Sequence, residues 1–94
     1  MDIFLKHTFT YKGMLVWPSR SAIREMIKLG ISLDDCKMML EEGYPAPRRR
    51  AKGIIERWFD KRNKTYNIVV VQCYSGLHQQ EIYLITHLGR FTKI

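Results

Sequence analysis

Four consecutive apolar β-formers, Ile68-Val69-Val70-Val71, lie inside the stretch Lys64–Tyr74 and constrain the fold more than any other feature. Successive strand side chains point to opposite faces, so a strand with this run must keep both faces out of water. Such a strand belongs at the centre of a sheet, with helices covering one side. The rest of the sequence has to supply its neighbours and its cover.

The neighbours are legible on either side. Gly53–Asp60 reads as a strand, Lys61-Arg62-Asn63 as a turn, Ser75-Gly76 as another turn and Gln80–His87 as a third strand. Towards the N-terminus, Ile3–Thr10 alternates loosely with aromatic and β-branched residues. Lys12-Gly13 then supplies a turn and Met14–Trp17 a short returning strand, so a hairpin is expected there.

The cover comes from a helix pair. Pro18 breaks the second strand and Ser19 is placed to cap a helix in which Ala22, Ile23, Met26 and Ile27 recur at helical spacing. Arg20, Arg24, Glu25 and Lys28 fall on its other side. Gly30 is expected as a left-handed cap. Ser32 then opens a second helix with Asp34 and Asp35 in its first turn, where the helix dipole favours carboxylates. Ile31 and Cys36 stand at the two positions of a hydrophobic staple, Met38, Met39 and Leu40 continue the helix, and Gly43 ends it. Tyr44-Pro45-Ala46-Pro47 is an extended linker, because each proline excludes its predecessor from helical space. The predicted order is ββ-αα-βββ: one α+β domain over residues 1–94, with a helix hairpin on one face of a mostly antiparallel sheet.

Charge points to the partner. Arg48–Lys64 (RRRAKGIIERWFDKRNK) holds eight of the sixteen basic residues against two acids, so it carries +6 of the formal +7. With a pI near 9.7, the expected partner is acidic: RNA or DNA first, an acidic protein second, an anionic membrane surface third. Ile54, Ile55, Trp58 and Phe59 interleave with the charges, as they would not in a merely solvated run. The cations are therefore expected to converge on one accessible sheet face. Arg48-Arg49-Arg50 is the strongest binding signal, since so few acids lie nearby to pair all three.

Other classes are set aside on composition. No apolar run approaches the ~18–20 residues of a membrane span. The start MDIFLKHTFTYKG lacks the apolar block and cleavage site of a signal peptide, so the cytoplasm is the expected compartment. Cys36 and Cys73 have no C-x-x-C spacing, and His7, His78 and His87 have no ligand spacing either. No metal or other cofactor is expected.

The segment Ala22–Gly43 (AIREMIKLGISLDDCKMMLEEG) resembles a family of small domains grouped with the RelE/ParE-type and BrnT-type toxins of toxin–antitoxin systems. The family's Arg-Met-x-x-x-Gly-Ile-Ser run, acidic helix and closing glycine are matched at Met26, Gly30, Ile31, Ser32 and Gly43. GIIERWFD, TYNIVVVQ and EIYLITHLGR match its closing three-stranded sheet in order and spacing, so the likeness spans roughly residues 19 to 90. Two positions depart from the pattern: Ser21 stands where a His is common, and Glu25 where an Arg is.

The resemblance implies a RelE-like fold and a metal-independent endoribonuclease acting on mRNA, on or off the ribosome, neutralised by an antitoxin protein. Cleavage by the ribose 2′-hydroxyl needs a proton acceptor, positive charge for the phosphorane and a proton donor. By approximate position, the candidates are Arg57, Lys64, His87 and Arg90, with Arg48, Arg49, Arg50, Lys52, Lys61 and Arg62 as nucleic-acid contacts. Each has a plain structural reading beside the functional one. His87 fits a strand-edge surface role, Arg90 a solvated charge in a flexible tail, and Arg57 a stem packed over aromatics. Trp58 and Phe59 must point to opposite faces, one into the core. Two further readings stay open: a non-catalytic basic module for RNA or DNA, and an interaction protein such as a homodimer formed through an edge strand.

Overall fold

The computed structural model describes residues 8–92. The elements run β1 (Thr10–Tyr11), β2 (Met14–Pro18), α1 (Arg20–Leu29), α2 (Leu33–Glu42), β3 (Tyr44–Pro45), β4 (Ile54–Lys61), β5 (Lys64–Ser75) and β6 (Gln80–Thr92). They build one six-stranded sheet in the order β1-β2-β6-β5-β4-β3. Every neighbouring pair is antiparallel except β2–β6, which is parallel. The α+β class, the helix pair and the central place of the Ile68–Val71 strand are as expected. Most of the first predicted strand, residues 3–7, lies outside the described residues.

Local chemistry fixes the helix pair. The Ser19 side chain accepts the Ala22 amide, and Gly30 closes α1 in the left-handed region at φ 69°. Ser32 and Asp35 form a reciprocal capping box at the start of α2. Ile31 and Cys36, the expected staple, are both buried in the core. Burial, then the neighbouring Asp35 carboxylate, pushes the Cys36 thiol up to about 12, so it behaves as a small hydrophobe. Gly43 ends α2 in extended rather than left-handed backbone, and its reason is proximity. A Cβ there would fall on the Met39 and Trp58 carbonyl oxygens.

The helices cover one face of the sheet. Val16, Ile68, Val70, Tyr83, Ile85 and Leu88 meet Ala22, Met26, Met39 and Leu40 in the main core. Ile85 and Leu88 both reach this core although they stand an odd three positions apart, because a bulge re-phases β6 opposite Val69/Val70. Phe59 packs against the core while Trp58 lies on the other face, which settles the pair left open by pattern.

Three findings differ from the sequence reading. The extended linker does more than connect: its first two residues, Tyr44 and Pro45, pair with Trp58 and Arg57 as an edge strand. Strand β6 runs on to Thr92, so Arg90 is not in a flexible tail but opposite Tyr66 in a paired ladder. The N-terminal hairpin joins the sheet by a parallel pairing, Leu15 to Ile82 through Pro18 to Ile85.

Candidate functional site

The expectation that the cations of Arg48–Lys64 converge on one accessible face is not met. They divide into three groups, and the division follows from alternation along β4. Glu56, Trp58 and Asp60 point away from the helices, and Ile55, Arg57 and Phe59 point towards them.

The first group is internal. Glu56 is buried, its side chain 1% exposed, and it accepts five hydrogen bonds. Arg48 donates through Nε and Nη2 (2.9 and 2.7 Å), Arg50 through Nε (2.9 Å), Trp58 through Nε1 (2.9 Å) and Asn67 through Nδ2 (3.1 Å). Burial alone would raise the Glu56 pKa, but the donors, Arg48 foremost, outweigh it and bring the carboxyl down to about 2. Arg48 also lies over Trp58, its guanidinium carbon 6.0 Å from the ring centroid, and Phe91 meets the same ring edge-on at 5.0 Å. Two of the three adjacent arginines are therefore anchored on an internal carboxylate. Arg49 and Lys52 remain exposed in the connecting loop.

Arg57 forms the second group. It faces the helix side, its Nη2 donating a long 3.4 Å bond to the Tyr11 hydroxyl. This is the aromatic-packed stem that one reading of the sequence allowed. Its Nε is buried and has no hydrogen-bond partner among the described residues. Around the nearby edge of β4 runs an open groove of about 230 Å³, lined by Lys12, Arg48, Arg50, Ile54, Ile55 and Arg57, among others.

The third group is the β4–β5 hairpin. Lys61 and Arg62 are exposed, Lys64 donates to Thr92 Oγ1 at 3.0 Å, and Arg90 stands opposite Tyr66. Lys61, Arg62, Asn63, Lys64 and Tyr66 line an open depression of about 330 Å³. None of Lys61, Arg62, Lys64 or Arg90 enters an ion pair among the described residues. Arg62 holds φ at 59°, a left-handed conformation in which a bulky residue is uncommon.

The four catalytic candidates are thus only partly assembled. Lys64 and Arg90 share the hairpin end of one face, whereas Arg57 is engaged at Tyr11. His87 is in register with Val69, and its Nδ1 lies 3.3 Å from Glu25 Oε1. The same carboxylate oxygen accepts the Leu88 backbone amide at 3.1 Å. Glu25, which departs from the family pattern, therefore closes the part of the β6 edge that β2 is too short to reach. Glu25→Ala is expected to cost about 1–2 kcal/mol in urea unfolding by leaving that amide unpaired. Glu25→Gln, which keeps the acceptor, should cost clearly less. Ser21, the other departure, meets the Ser19 hydroxyl at 3.1 Å.

Sequence reasoning missed Lys12, which enters the groove from the β1–β2 turn, and it missed the buried role of Glu56. The signal for Glu56 was available: it alternates with Ile54 and Trp58 on one strand face. Among the described residues no group of three or more His, Cys, Asp or Glu is placed to hold a metal ion, and no helix is long and apolar enough to cross a membrane. Comparison with known proteins gives no match to a protein-family model, to a curated protein or to a solved structure.

Proposed function

We propose that this chain is a nucleic-acid-binding domain, with single-stranded RNA as its first ligand class, and that the β4–β5 hairpin is its contact surface. One observation carries the reading: Lys61, Arg62, Lys64 and Arg90 gather around Tyr66 at one end of the sheet with no carboxylate partner among the described residues. A cluster of this kind neutralises phosphates, and the half-buried tyrosine offers a ring on which a base can stack. The left-handed Arg62 supports it further, since an asparagine or glycine would hold that turn at less strain. The antitoxin implied by the resemblance belongs to the same proposal: an acidic segment covering these cations would block RNA.

The test is titration of a labelled single-stranded RNA across salt concentrations. Four phosphate contacts predict a log–log slope of about −2.8, and the double variant Lys61→Ala/Arg62→Ala should halve it. A flat salt response, or a slope unchanged by the double variant, would sink the proposal. Incubation with RNA in EDTA, beside Lys64→Ala and Arg90→Ala, reads whether binding leads on to cleavage. Products lost in both variants would add a metal-independent ribonuclease activity at the same surface.

A further inference from the structure

We infer that the groove along the edge of β4, beyond its short pairing with β3, is a second, separate anion site, built to take the phosphate group of a small ligand. The inference does not depend on the RNA reading, because the cations involved lie outside the hairpin cluster. Four positive side chains line the groove from three separate places in the chain: Lys12 from the β1–β2 turn, Arg48 and Arg50 from the loop before β4, and Arg57 from β4 itself. The one carboxylate in the lining, Glu56, is enclosed behind its donors, at 1% side-chain exposure against 55% for Arg48 and 37% for Arg50. An entering anion therefore meets the outer N–H groups of the arginines rather than the carboxylate. Summed over the lining, four cations and one acid leave +3 in a space of about 230 Å³.

Arg57 points the same way. A buried N–H normally finds a well-placed acceptor, and Arg57, half-buried as a residue, holds its Nε out of water. Among the described residues its side chain makes one long hydrogen bond, to Tyr11, and the buried Nε has no partner there. Arginine forks match phosphate oxygens in bidentate geometry, and Lys12 adds a mobile point charge. Lys12 is held near the groove by its turn, at φ 53°, with Nζ 5.7 Å from the Tyr11 ring centroid. Ile54 and Ile55, on opposite faces of β4, each add apolar surface to the lining, against which the organic part of a phosphomonoester can rest.

The experiment is a titration followed by amide and arginine Nε–H NMR at constant ionic strength, with inorganic phosphate in one arm, a nucleoside monophosphate in another and chloride in a third. Saturable shifts at Lys12, Ile55 and Arg57 are expected in the phosphate and monophosphate arms alone. Tighter binding of the monophosphate would identify a phosphomonoester as the ligand, and equal binding would identify free phosphate. Lys12→Asn, which suits the turn's positive φ, and Arg57→Lys, which keeps charge but loses the fork, should each weaken binding about tenfold. Lys61→Ala/Arg62→Ala should leave it unchanged, which separates this site from the RNA surface. Equal shifts with chloride, shifts centred on Lys61–Tyr66, or full affinity in Lys12→Asn would overturn the inference.

Discussion

Glu56→Ala is expected to lower stability by about 3 kcal/mol and the melting temperature by roughly 10–20 °C. Breaking a buried ion pair usually costs ~3–5 kcal/mol, because the partner's charge is left stranded. Here the partners differ. Arg48 and Arg50 are open enough to return to water, so their charges are not trapped. The loss falls on Asn67, which is buried, and on the Trp58 indole N–H, both of which would lose an acceptor. It also frees the loop that the two arginines hold against β4.

The same carboxylate predicts an acid transition. Its folded pKa of about 2 lies below the ordinary value of 4.5. A depressed carboxyl contributes stability above its unfolded pKa and loses it as pH falls through the folded one. The contribution, roughly 3 kcal/mol at ~1.4 kcal/mol per pKa unit, is complete at neutral pH and disappears between about pH 5 and pH 2. Denaturation of the parent chain and Glu56→Ala at pH 7 and pH 3 checks both points. The two proteins should differ widely at pH 7 and by clearly less at pH 3, where more than half of the contribution has gone. A parallel offset at both values would mean that the carboxylate charge is not what holds the cluster.

Gly43→Ala should be comparably severe, at about 3 kcal/mol. The added methyl would overlap the carbonyl oxygens of Met39 and Trp58 and come 3.4 Å from the Arg57 Cβ. Two of these obstacles are backbone, one at the end of α2 and one in β4, so neither can rotate aside. Overpacking of this kind lies at the upper end of the usual ~1–3 kcal/mol. Gly76→Ala is the matched control. No atom lies within 4 Å of its added Cβ and its φ is not positive, so it should be neutral or slightly stabilising through the unfolded chain. Urea midpoints of the two variants measure the difference. Equal midpoints would show that α2 can move away from β4 freely.

Local signals in the sequence carried the local structure. Ser19, Gly30 and Ser32 each act within one helical turn, so reading them required no knowledge of the rest of the molecule. The apolar run Ile68–Val71 placed its strand at the centre for an equally direct reason. What escaped was set by distant partners. The parallel docking of β2 on β6, the extra length of β6 and the two-residue β3 all depend on which edges remain free after the sheet assembles. The site suffered most from this. Counting charges in Arg48–Lys64 showed an excess, but not that one acid among them would be buried and draw in two of the arginines. Nor could charge alone place Lys12 in the same groove as Arg57, because that placement is made by the fold.

The parallel β2–β6 pairing also bears on how the chain reaches its native state. Strand β6 is synthesised after every other described element, yet it lies between β2 and β5 and contributes Tyr83, Ile85 and Leu88 to the core. The first hairpin and the helix pair therefore leave the ribosome with their apolar faces unmatched. Such non-local closure slows folding relative to a chain held by local contacts, and until it is complete Val16 and Met26 are exposed to whatever else in the cell binds greasy surfaces.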